Sequence, residues 1–170
     1  MLLLAACSPH YNWREIRSDG APYIIALPAR PASFSRNIDL NGTRVNMTMT
    51  AAEVDSNTFA VGTAELPSAP QAQAALEAMK QALVRNIGGT VREQKTLTIA
   101  QSSHAEDGHL AVIEITASGP GDAATGGRPR VLFARFLAKG QRVFQLVATG
   151  PEQALRRDLA DTFFSSFQLD

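Results

Sequence analysis

Apolar and polar residues alternate with a period of two along most of the chain, and a period near 3.6 interrupts the alternation twice. Residues 12–28, NWREIRSDGAPYIIALP, read as two extended pieces around a turn, because Ser18-Asp19-Gly20 supplies turn chemistry and Tyr23-Ile24-Ile25 is aromatic and β-branched. Three strand-like stretches follow: SFSRNIDL, then RVNMTMTAAEV after Asn41-Gly42, then TFAVGTAEL after Asp55-Ser56-Asn57. Asn-Gly between alternating runs is the strongest short-range hairpin signal. Val45, Met47 and Met49 alternate with Asn46, Thr48 and Thr50, which predicts a half-buried antiparallel strand with one apolar and one polar face. The methionines belong to the core and not to a metal site, because no third soft ligand is near them.

The first 3.6-residue pattern predicts a helix over about residues 70–87, capped by Ser68 and closed by Gly88-Gly89. Ala72, Ala75, Leu76, Met79, Leu83 and Ile87 form its buried stripe, and Glu77, Lys80, Gln81 and Arg85 face water. Four more strands are expected in TVREQKTLTI, HLAVIEITAS, RVLFARFLAKG and RVFQLVAT, the last two joined tightly at Lys139-Gly140-Gln141. Gly150-Pro151 then starts a final helix with Leu155, Leu159, Phe163 and Phe167 on its inner face. Runs of strands separated by single helices argue for an α+β fold: a largely antiparallel sheet of about six to eight strands flanked by two main helices. A doubly wound parallel sheet would need strict alternation.

Composition narrows the classes. A chain of 170 residues, 45% hydrophobic and 19% charged, suits one domain with a single good core, and residues 12–170 are assigned to it. Sixteen basic and sixteen acidic residues cancel, so the field that attracts nucleic acid is missing and no nucleic-acid partner is expected. No run approaches the roughly 18 apolar residues of a spanning helix, and no repeat period or low-complexity tract is present.

The N-terminus adds an address. Leu4-Ala5-Ala6-Cys7 resembles the lipobox of bacterial lipoproteins, in which small residues precede the cysteine that is diacylated and becomes the new N-terminus. A leucine-rich segment precedes those small residues as the core of a signal peptide would. Cys7 is the only cysteine, which excludes an internal disulfide. Only six residues precede Cys7, fewer than the roughly 15 to 30 of a working signal segment, so the expected start lies upstream. The resemblance implies a processed segment at residues 1–6, a lipid tether at 7–11 and a membrane partner reached through the N-terminal lipid. Two or three acyl chains, at about 0.8 kcal/mol per buried methylene, would anchor the protein firmly. Ser8 in place of an aspartate resembles the pattern that sends Gram-negative lipoproteins to the outer membrane, implying its periplasmic face. The alternative is a cytosolic domain with an accidental lipobox and an idle Cys7 thiol. Tyr11 and Trp13 suit either the headgroup zone or packing onto the domain, and packing is favoured.

A second resemblance covers most of residues 12–169. Trp13-x-x-Ile16, the segments ALPARPA, DLNGTRVNMTM and TFAVGTAELP, the helix, and the closing FFSSFQL together resemble the PsbP-like fold. That resemblance implies a sheet flanked by helices in a protein used for assembly or binding, with no catalytic residue set to carry over.

Two loops hold candidate chemistry. QSSHAEDGH, residues 101–109, gathers Ser102, Ser103, His104, Glu106, Asp107 and His109, the residue types of a hydrolase. Triads are assembled in space from separate elements, usually on a strained nucleophile turn, and no G-x-S-x-G occurs, so the segment reads as a solvated hairpin loop. Its histidines and acids match no strong zinc spacing, and no metal or cofactor is expected. GPGDAATGGRPR, residues 119–130, is glycine-rich but leads into a strand and not into the helix that a phosphate cradle requires. It is expected to connect two long strands, and Arg128, Arg130 and Arg135 to form the polar face of the second. Contact with an envelope protein partner is assigned to these loops through His104, Glu106, Asp107, His109 and Arg128. The function expected is therefore a lipid-anchored, non-catalytic binding or assembly module of the cell envelope. The competing reading is an envelope hydrolase using the 101–109 loop.

Overall fold

The computed structural model describes residues 10–101, 108–120 and 126–170. Among them the chain forms ten strands and two helices: β1 Arg14–Arg17, β2 Tyr23–Leu27, β3 Ala32–Leu40, β4 Thr43–Val54, β5 Asn57–Glu65, α1 Ala69–Asn86, β6 Thr90–Ala100, β7 His109–Gly119, β8 Arg130–Lys139, β9 Arg142–Pro151, α2 Arg157–Ser165 and β10 Gln168–Leu169. Seven strands make one sheet in the order β3-β4-β5-β9-β8-β7-β6, antiparallel throughout. The other three form a small antiparallel sheet, β1-β2-β10. The α+β architecture expected from the sequence is therefore present, with a second sheet that the pattern did not reveal.

Local chemistry explains the connections. Asn41 and Gly42 both adopt positive φ, the conformation a two-residue hairpin turn demands, and Asp39 accepts the Gly42 amide through its carboxylate at 2.8 Å. The tight β8–β9 turn is made at Gly140, also at positive φ, with Lys139 opposite Arg142. Ser68 caps α1 as expected: its hydroxyl accepts the Gln71 amide and donates to the Gln71 side chain.

The seven-stranded sheet has a core on each face. On one, α1 buries Ala72, Ala75, Leu76 and Met79 against Val45, Met47, Ala134, Phe136 and Val147. On the other, the small sheet and α2 bring Tyr23, Ile25, Leu27, Ala160, Phe163 and Phe164 onto Phe59, Val61, Phe133, Phe144 and Leu146. The methionines of β4 thus pack as core residues. Tyr11 and Trp13 stack at 6.1 Å and both set their rings edge-on to Phe59, so they pack on the domain.

Two expectations need correction. The final helix does not begin at Gly150-Pro151: β9 runs through Pro151, which still pairs with Arg130, and α2 starts only at Arg157. Leu155 is buried from the connecting segment and Phe167 packs, half-buried, from beyond the helix end, so the apolar spacing reflects a shared core and not one continuous helix. Nor do Arg130 and Arg135 share a solvated polar face. Arg135 lies beneath α2, its guanidinium 4.7 Å from the Phe164 ring centroid and bonded to Glu114.

Candidate functional site

Side chains on the α2 face of the large sheet fall into two polar zones on either side of the aromatic core. The first centres on Glu114 of β7, which is 2% exposed and receives three cations: Arg157 Nη2 at 2.5 Å, Arg135 Nε at 2.6 Å and Lys95 Nζ at 3.0 Å. Arg157 also holds Asp161 one turn along α2 and sits 5.3 Å from the Phe133 ring centroid. Burial works to raise the Glu114 pKa, but the bonds from Arg157, Arg135 and Lys95 override it and hold the carboxyl at about 2. A carboxylate ionised so firmly and so fully bonded has no proton to exchange near neutrality. This cluster ties α2 to β6, β7 and β8.

The second zone is a groove of ≈ 520 Å³ between the β1–β2 turn and the exposed half of the sheet. Its floor comes from period-two alternation in three neighbouring strands: Ser33 on β3, Asn46, Thr48 and Thr50 on β4, Thr63 and Glu65 on β5. The register lines up Ser35, Thr48 and Thr63 as one rung across the strands, and Ser33 with Thr50 as the next. Ser33 bonds Thr50 at 2.8 Å and Ser35 bonds Thr48 at 2.7 Å, hydroxyl to hydroxyl. Thr63, 7% exposed, has a side-chain oxygen with no hydrogen-bond partner. Arg142 of β9 donates to Glu65 at 2.8 Å at one end. Ile16, Arg17, Ser18 and Asp19 form the opposite wall, where Arg17 pairs with the side chain of Asp170.

Of the candidate contact residues singled out in the sequence, the two described, His109 and Arg128, lie in neither zone. His109 is exposed at the first position of β7, opposite Ala100, and the hairpin beside it is closed by the Gln101 amide bonding Gly108 O at 2.9 Å. Arg128 lines a shallow cavity of ≈ 180 Å³ with Pro129, Pro151, Glu152 and Gln153. These two residues occupy opposite ends of the β7–β8 pair, about 30 Å apart at roughly 3.3 Å per strand residue. His109 and Arg128 thus flank the sheet at its two ends and do not converge. Ser102, Ser103, His104, Glu106 and Asp107 lie outside the described residues, as do Leu4, Ala5, Ala6, Cys7 and Ser8. Among the described residues, no three His, Cys, Asp or Glu side chains are grouped to hold a metal ion, and no helix is long and apolar enough to cross a membrane.

The groove was missed in the sequence because its residues look like an ordinary solvated face. Its signal is Ser or Thr at alternate positions of β3 and β4, continued on β5 by Thr63 alone.

Neither a family model nor a curated relative matches the chain. Among solved structures it is similar to the solution structure of cyanobacterial PsbP (CyanoP) from Synechocystis, with a TM-score of 0.54 and 11% identity, over 97% of this chain and 96% of that one. At that identity the likeness is one of fold: two helices on a large antiparallel sheet with a small three-stranded sheet beside it, the PsbP-like α+β fold.

Proposed function

We propose that the protein is a lipid-anchored module of the cell envelope that works by binding and not by catalysis, presenting its hydroxyl-lined groove away from the membrane. The observation that carries this reading is the placement of the chain's entry relative to the groove. His10 Nδ1 lies 2.6 Å from Asp55 Oδ2 in the β4–β5 turn, and the Asn12 amide bonds Pro28 O at 2.8 Å. His10 and Asn12 are thereby held at the Asp55 end of the sheet, whereas the Glu65–Arg142 pair of the groove lining lies toward the far end. Cys7 is three residues before His10, a reach of roughly 10 Å when extended. A lipid on Cys7 would keep the Asp55 end close to the bilayer and leave the groove facing outward. The lipobox-like Leu4-Ala5-Ala6-Cys7, followed by Ser8, supports that anchor and an outer-membrane destination. The PsbP-like fold is compatible with a binding or assembly role.

The test is intact mass and membrane partition of the protein expressed in a Gram-negative host from the gene with its native upstream codons. Cleavage before Cys7 with added acyl mass, and loss of both in Cys7→Ala, is the expected result. An unmodified product that stays in the soluble fraction overturns the anchor.

A further inference from the structure

We infer that the groove between the β1–β2 turn and strands β3, β4 and β5 is a saccharide-binding site that takes a neutral, polyhydroxylated ligand of about disaccharide size. The inference rests on reading this groove as the binding surface and adds the chemistry of what it binds.

The hydrogen-bonding capacity of the lining argues for it. Each hydroxyl offers one donor and two acceptor positions. The Ser33–Thr50 and Ser35–Thr48 pairs each consume one donor, leaving each pair one hydrogen and further lone pairs unspent. Thr63, next in the rung after Thr48, has spent nothing: its side-chain oxygen is buried without a partner, a deficit that a ligand hydroxyl would fill. Asn46 adds an amide with both donor and acceptor character. The Glu114 cluster differs, because there the carboxylate is fully bonded by the protein's own cations.

Charge sets the ligand class. The lining holds two cations, Arg17 and Arg142, and two acids, Asp19 and Glu65, so neither an anion nor a cation is favoured. The Glu65–Arg142 pair presents an acceptor beside a donor fork, the complement of two adjacent hydroxyls on a ring. Ile16 and Pro31 supply apolar surface for the C–H face of such a ring. The volume of ≈ 520 Å³ falls within the usual range of about 300–1,000 Å³ for small-ligand sites. A peptide strand fits less well. From Thr48 to Thr50 on β4 and from Val61 to Thr63 on β5 the backbone is paired with neighbours on both sides, so at the centre of the floor side chains and not an open sheet edge do the reading.

The experiment titrates the full chain carrying Cys7→Ala, followed by methyl and amide NMR, with four probes: maltose, N,N′-diacetylchitobiose, inorganic phosphate and an uncharged blocked hexapeptide. Saturable binding of at least one disaccharide, with shifts confined to Thr48, Thr50 and Thr63 and their neighbours, is expected. Thr63→Val keeps the shape but removes the unpartnered hydroxyl, so it should keep or raise the melting temperature and weaken disaccharide binding about five- to tenfold. Asn46→Ala should weaken it similarly. A disaccharide response that Thr63→Val and Asn46→Ala leave unchanged overturns the assignment, as does the lack of any disaccharide response at concentrations that would saturate a millimolar site. If the hexapeptide or phosphate alone moves the groove signals, the saccharide inference fails and the binding-surface reading survives. If no probe moves them and membrane partition is unaffected by Cys7→Ala, both fail.

Discussion

Glu114 shows how much can depend on one side chain inside an otherwise apolar layer. Replacing it with Gln would leave Arg135 and Arg157 facing each other beneath α2 without the shared anion, and breaking a buried pair in this way costs about 3 kcal/mol or more. Chemical denaturation of Glu114→Gln at neutral pH measures that loss. The pH dependence has a defined sign. With its folded pKa held at about 2 against an ordinary 4.5, Glu114 stabilises the fold fully above the ordinary value and ceases to do so as pH falls toward 2. About 2 to 3 kcal/mol of unfolding free energy should disappear across that window in the parent and not in Glu114→Gln. A second residue-scale prediction concerns Asn57, which is 1% exposed, donates to the Tyr11 hydroxyl at 2.8 Å and lies directly against Gly150. A methyl group at Gly150 would collide with the Asn57 amide, so Gly150→Ala should destabilise by about 1 to 3 kcal/mol, read from the urea midpoint. The sequence disclosed neither relation. Arg135 alternates with apolar residues as an exposed arginine would, and only the arrival of α2 over β8, from a distant part of the chain, turns it inward.

Where an element's own residues decide its conformation, the sequence makes that element legible. Period-two patterning and turn chemistry located β1 to β9 closely, and Ser68 and Gly88-Gly89 bracketed α1. Elements that depend on partners elsewhere in the chain are not legible in this way. Pro151 looks like a helix start, yet it is the last residue of β9 because Arg130 pairs with it. β10 is only two residues long and exists because β2 offers an edge, with Leu169 opposite Tyr23. The groove is the same kind of case: Asn46, Thr48 and Thr50 were read correctly as the polar face of β4, but the β1–β2 turn that converts the face into a recess is supplied by another sheet. Two measurements follow. Ser68→Ala removes the only side-chain bond to the α1 N-terminal amides among the described residues and should cost about 1 kcal/mol. Phe163→Ala opens a cavity between α2 and Phe59, whose rings lie 5.6 Å apart, and should cost about 3 to 5 kcal/mol. Thermal denaturation monitored by circular dichroism checks both.

For the molecule as a whole, the two cores on opposite faces of one sheet make α1, α2 and the small sheet mutually dependent, since each covers a face of the same seven strands. Among the described residues the large sheet nonetheless ends in two edge strands, β3 and β6, each bonded to a neighbour on one side only. β6 is eleven residues long and exposed along most of its length. A free edge of that length is a template on which a second chain can add a strand, and proteins restrain this by placing charge along it. Arg92, Glu93 and Lys95 stand in the first half of β6, and Lys95 already serves the Glu114 cluster. A single lysine therefore couples internal electrostatics to colloidal behaviour. Lys95→Val would loosen the seat of α2 and strip a charge from the edge together, so fibrils or amorphous precipitate, followed by light scattering in concentrated solution, should form sooner than the small loss of stability alone would bring about.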